Sequence, residues 1–178
     1  MLHQKPGKKY DYLVWPVGAG KSTVARELVP LLPGPVANIE GDKFWAFIAK
    51  GAAAQTETTN FRMVMRAMTA AATHYALNGY EVILDFSIPP WFLDTLSNVA
   101  KFKKVPLAYI LLKPDEAVCA ARAASRWEGA IEDYGFYHKF YADFDHAEKY
   151  TIRNNVEDAA TIASLIRSGL QEGRFQVV

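Results

Sequence analysis

At 178 residues, 51% hydrophobic and 22% charged, the chain has the length and composition of one globular domain, which excludes a disordered or fibrous protein. A net charge of +1 gives no bulk electrostatic hold on nucleic acid and leaves only a local basic groove open. The single cysteine, Cys119, excludes an internal disulfide and weighs against a cysteine-based metal site.

The opening stretch MLHQKPGKKYDYLVWPVGAG has the basic, apolar, small-residue order of a secretory signal. Its apolar part is short, broken by Pro16 and followed at once by Lys21, so it does not read as one. The longest later apolar run, VPLAYILL, is too short to span a bilayer. The expectation is a soluble, cytoplasmic protein that does not meet the membrane.

Tyr12 to Pro16 is a short apolar strand, and Ser22 to about Val29 a helix stopped by the prolines of PLLPGP. Val36 to Ile39 is the second strand. Asp42 to Lys50 reads as helical with Gly51 as its stop, and AAAQTETT as a loop. Asn60 to Leu77 is a long helix closed by the Asn-Gly pair at 78–79. EVILDF, Glu81 to Phe86, is a buried strand, followed by a helix with Pro89 and Pro90 in its first turn and Ser87 as a possible cap. Leu107 to Leu112 is a strand and Asp115 to about Arg126 a helix. Residues 127–147 are rich in aromatics and charges and have no simple period. KYTIRN gives a fifth strand, and Asn155 opens the last helix in an approximate capping box with Asp158. Strands alternating with helices imply right-handed βαβ units and a parallel sheet of about five strands, covered on both faces.

GAGKST, residues 18–23, falls between the first strand and the first helix, the setting of a phosphate-binding loop. Such a loop wraps an anion with backbone N–H groups. Gly18 and Gly20 give the backbone its freedom, and Ala19 and Thr23 complete the arc. Lys21 can reach the outer phosphates, Ser22 can place a hydroxyl on Mg²⁺, and the helix presents its positive end. The first glycine of G-x-x-x-x-G-K-[S/T] is replaced by Trp15. Pro16 holds that residue in extended backbone and carries no N–H, so the replacement removes no phosphate donor. It crowds the entrance instead.

YLVWPVGAGKSTVAREL, NIEGDKFWAFI, NGYEVILDFS and LLKPDEAVCAARAASR together resemble the small P-loop kinases, from about residue 11 to 170. The group around chloramphenicol phosphotransferase and gluconate and shikimate kinases is the most similar branch. The resemblance implies one P-loop kinase-like domain over residues 1–178, an α/β/α fold with a five-stranded parallel sheet, and a helical lid at about 127–147. It also implies transfer of the γ-phosphate of ATP, with Mg²⁺, to a hydroxyl of a small-molecule acceptor.

Asp42, at the end of the second strand, would face that acceptor and take its proton, as in similar kinases; a helix N-cap is the structural alternative. Asp85, ending VILD, is placed to hold Mg²⁺ directly or through water, or else to hydrogen-bond the loop at Ser22 or Ser87. Arg122 and Arg126 share one helix face before the lid, and in similar kinases arginines here clamp the transferring phosphate or stack on adenine; a solvated face is the alternative. Arg62 and Arg66 form a second such pair, better read as solvated than as anion-binding. Trp45, Phe47, Trp91, Phe92 and Trp127 are core residues or an apolar acceptor pocket. His74, His138 and His146 lack metal spacing, and Cys119 reads as packing. Two other functions keep the fold: a nucleotide-binding regulatory module with little turnover, favoured by Trp15, and a polynucleotide-end kinase, disfavoured by the neutral charge.

Overall fold

A computed structural model describes residues 10–14, 18–50, 58–125, 133, 135–145 and 147–178. Its strands are β1 (Tyr10–Val14), β2 (Val36–Glu40), β3 (Glu81–Asp85), β4 (Leu107–Leu112) and β5 (Thr151–Ile152). They pair in parallel in the order β2-β3-β1-β4-β5. Every residue of EVILD and LAYILL is buried, as expected of strands covered on both faces. The period of two sorts them. Val82, Leu84, Leu107, Tyr109 and Leu111 face one core, and Ile83, Ala108, Ile110 and Leu112 face the other.

The helices are α1 (Lys21–Leu28), α2 (Thr58–Leu77), α3 (Leu93–Lys103), α4 (Glu116–Ala124), α5 (Gly135–Ala142) and α6 (Ala159–Gln171). Val64, Met65, Met68 and Ala72 of α2 and Leu96 and Ala100 of α3 fill the first core. Val24 and Leu28 of α1, Cys119 and Ala123 of α4 and Ile162 and Ile166 of α6 fill the second. The short β5 covers only Leu111 and Leu112 of β4. The C-terminal tail runs antiparallel along the rest: the Leu107 amide donates to the Val178 carbonyl at 3.0 Å and the Tyr109 amide to Phe175 at 3.0 Å. Sequence periodicity gives no sign of this tail pairing.

Three local expectations are corrected. Asp42 to Lys50 is not an α-helix; Gly41–Phe47 forms a 3₁₀ turn that ends in extended backbone at Ile48. Ser87 caps nothing, because a 3₁₀ turn at Pro90–Phe92 leads directly into α3 and neither has a side-chain cap. The last helix is opened by Asp158, whose carboxylate accepts from the Thr161 amide at 2.7 Å. Asn155 is engaged elsewhere, accepting from the Asp115 amide at 2.7 Å and donating to the Asp115 carboxylate at 3.0 Å. Trp15, Pro16, Gly51, Arg126, Trp127 and His146 lie outside the described residues.

Candidate active site

The carboxyl ends of β1, β2 and β3 converge, the edge of an open α/β sheet where ligands gather. The loop after β1 is shaped by two glycines with different tasks. Gly18 has φ 89°, and a Cβ there would stand 2.2 Å from the Cys119 carbonyl oxygen, so glycine lets the loop rest on the backbone of α4. Gly20 has φ 91° with open space around its Cα and precedes α1 in the left-handed conformation. No side chain caps α1 and no acidic residue stands in its first turn. Its amino end therefore keeps a positive potential, with Ser22 and Thr23 exposed at the mouth. Ala19 between the glycines is fully buried.

Asp85 ends β3 beside this loop and is buried. Burial pushes its carboxyl above the ordinary carboxylate range; the Lys21 charge and a hydrogen bond from the Ser22 hydroxyl pull it back, and Asp42 and Glu40 push it up again. Burial wins, so the site holds a carboxylate short of compensating positive charge. Its Oδ1 has no hydrogen-bond partner among the described residues. Glu40 lies opposite Asp85 in the strand register and pairs with Lys43 at 3.1 Å, an exposed ion pair of little energetic weight. Asp42 is exposed in the turn that follows and makes no capping bond there, which removes the N-cap reading. Gly41 lets that turn pack tightly: a Cβ would lie 2.5 Å from both Met68 Sδ and the Phe86 ring. Lys21, Ser22, Asp42 and Asp85 are thus brought together.

Arg122 is committed differently from the sequence reading. Its guanidinium donates to the carbonyls of Asn154 at 3.0 Å and Asn155 at 3.1 Å, tying α4 to the loop after β5. Arg62 stacks over Trp91, 4.4 Å from the ring centroid, and Arg66 is exposed. Phe92 is core, not pocket. Trp45 packs partly buried against the core, while Phe47 and Trp91 are exposed. Phe61 gathers Phe86, Phe140 and Trp91 around it at 5.5, 6.0 and 6.4 Å between centroids. His138 contacts Glu116 at 2.7 Å, and no metal-holding cluster of three or more His, Cys, Asp or Glu exists among the described residues.

Two residues escaped the sequence reading. Asn154, buried, donates from Nδ2 to the Ala19 carbonyl of the phosphate loop at 2.9 Å. Lys113, buried at the end of β4, pairs with Asp145 and lies 4.9 Å from the Tyr141 ring centroid. Tyr141 donates to the Pro114 carbonyl at 2.7 Å, and partial burial pushes its phenol up to about 12. Together these contacts clasp α5 to the start of α4. A lysine directly after the apolar run LAYILL was the available signal for Lys113.

A parallel sheet with a glycine loop leading into its first helix, and a carboxylate ending the neighbouring strand, defines a P-loop kinase-like α/β protein. The model of the AAA domain family matches residues 12–133, and the chain belongs to that family. No curated protein matches it in sequence. Among solved structures it is similar to the Deinococcus radiodurans tunicamycin resistance protein, with 17% identity over 96% of this chain and 99% of that one and a TM-score of 0.69. It is also similar to the Mycobacterium tuberculosis APS kinase in complex with AMPPNP and APS, at 16% identity, 93% and 99% coverage and a TM-score of 0.68. A gluconokinase from Sinorhizobium meliloti gives 17%, 96% and 94%, and 0.62. At such identities these likenesses concern the fold. No helix among the described residues is long and apolar enough to cross a membrane.

Proposed function

We propose that this chain is an ATP-dependent kinase that transfers the γ-phosphate to a hydroxyl of a small molecule. The observation that carries the reading is the buried Asp85 beside Lys21 and Ser22, with the exposed Asp42 in the turn that follows the neighbouring strand β2. In this reading the phosphates rest on the N–H groups of residues 18–23, and Lys21 neutralises charge that builds up during transfer. Ser22 and Asp85 would hold Mg²⁺. The orphaned, buried Oδ1 of Asp85 suits a cation, and one carboxylate, one hydroxyl and the phosphates are an ordinary Mg²⁺ ligand set. When bound, the ion neutralises charge on the β- and γ-phosphate oxygens. Asp42 accepts the proton of the attacking hydroxyl. Arg126 is assigned to the transferring phosphate, from a lid at about 127–147 within a single domain. Arg122 is reassigned to holding the loop after β5.

The acceptor side has an aromatic border. Phe86 follows Asp85 and packs against Gly41, and Phe61, Trp91 and Phe140 extend from it. With Glu40, Asp42 and Asp85 nearby, an acceptor carrying a hydroxyl on an apolar face suits this side better than a polyanion. The test is incubation with γ-labelled ATP and Mg²⁺ across aryl and alkyl alcohols, sugars, sugar acids, nucleosides and RNA 5′ ends. Label on a small alcohol supports the reading. Label on RNA ends alone, or on no acceptor despite nucleotide binding, replaces it with one of the two alternative functions.

A further inference from the structure

The peptide between Ala19 and Gly20 lies in the loop between β1 and α1. A trans peptide is planar, and its carbonyl and N–H point in opposite directions. Fixing the Ala19 carbonyl therefore also fixes the Gly20 N–H. The preceding residue Ala19 is fully buried, while Gly20 is exposed at the mouth of the loop. Gly20, at φ 91°, is also where such a peptide can turn over on its own side, because glycine adopts either sign of φ. In the turned-over form the carbonyl would face the anion and repel it.

One side chain opposes this. Asn154, 3% exposed and 135 residues further along the chain, donates from Nδ2 to the Ala19 carbonyl at 2.9 Å. Its amide is assigned with Nδ2 toward the carbonyl, since the reverse would set two oxygens against each other. Its Oδ1 has no partner among the described residues, so the amide grips the loop through its donor alone. The main chain of Asn154 is itself held by Arg122, whose guanidinium takes the carbonyls of Asn154 and Asn155 at the last turn of α4. Gly18 rests against Cys119 of the same helix. Helix α4 therefore supports the loop twice, once by direct contact and once through Arg122 and Asn154.

We infer that Asn154 is a positioning residue: by holding the Ala19 carbonyl it aims the Gly20 N–H into the anion site and keeps the loop in its phosphate-receiving form. The inference rests on the phosphate-loop reading above and adds a residue outside the loop that sets its affinity. Losing a donor aimed at a charged oxygen is worth about 10- to 100-fold in binding.

The test uses inorganic tripolyphosphate titrated calorimetrically into the full chain, with a melting curve for each variant. Asn154→Ala should weaken tripolyphosphate by about 10- to 100-fold. Gly20→Ala, which favours negative φ and so the turned-over peptide, should weaken it as well. Both act on one peptide, so the double variant should bind no more weakly than the weaker single one. A merely structural Asn154 would instead give losses that multiply. Asn154→Asp, of the same size but without the donor, should repeat the loss at neutral pH and serves if Asn154→Ala does not fold. Folded variants at position 154 that bind like the parent, or losses that multiply, overturn the positioning role alone. A parent chain that leaves tripolyphosphate unbound overturns the phosphate-loop reading with it.

Discussion

Replacing Gly18 by alanine puts a methyl group against the backbone of α4. At φ 89° an L-residue is strained by about 1–2 kcal/mol. The new Cβ would also lie 2.2 Å from the Cys119 carbonyl oxygen, where even a close C–H···O contact needs about 3.3 Å. That oxygen belongs to a helix and cannot swing aside as a side chain would, so overpacking adds about 1–3 kcal/mol. The sum is roughly 2–5 kcal/mol, and for a domain of this size each kcal/mol lowers the Tm by about 2–4 °C. Gly18→Ala should therefore melt roughly 4–20 °C below the parent. Gly20→Ala shares the strain (φ 91°) but has open space, so it should lose only about 1–2 kcal/mol, or roughly 2–8 °C. Melting curves in phosphate-free buffer read both. A Gly18→Ala chain that melts with the parent, or above Gly20→Ala, would refute the packing of the loop on α4.

The same geometry makes two further predictions. Burial holds the Asp85 carboxyl above the unfolded value of 3.8, so its contribution to stability is fully present below that value and is lost as pH rises through the folded-state pKa. Asp85→Asn should accordingly gain in Tm over the parent as pH rises from acid to neutral, while losing Mg²⁺-dependent nucleotide binding; a difference in Tm that is flat or shrinks with pH would contradict the burial argument. Lys21→Ala should reduce phosphoryl transfer by about 10²–10³ at unchanged fold, and turnover equal to the parent's in the same label-transfer assay would dismiss the loop assignment.

Much of the frame is legible in the residue pattern because its causes are local. EVILD and LAYILL read as strands buried on both faces since both of their faces meet helices. GAGKST announces its loop through glycines that φ values near 90° require. Asp85 is recognisable because it ends β3, and Asp42 because it lies two residues past Glu40, the residue that pairs with Asp85 at the end of β2. What the pattern conceals depends on long-range partners. Asn155 looks like a helix cap until Asp115 of another element is seen to occupy it. Arg122 looks like a nucleotide ligand, but its guanidinium holds carbonyls beyond β5. Asn154 reaches Ala19 across 135 positions, a separation at which no period or motif signals contact. Phe92 and Trp91 are adjacent aromatics, yet one is core and the other exposed, because the 3₁₀ turn sends them in different directions.

Asp42→Asn tests the proposed chemistry most directly, with ATP affinity and acceptor phosphorylation measured on one preparation. Asparagine keeps the shape and cannot take the proton of the attacking hydroxyl. Asp42 is exposed and makes no capping bond, so the fold should be indifferent to the change. Nucleotide affinity should stay within about twofold while transfer falls by about 10²–10⁴, the usual worth of a positioned base. Transfer at the parent's rate with equal affinity would contradict the account and leave Asp42 without a part in the reaction.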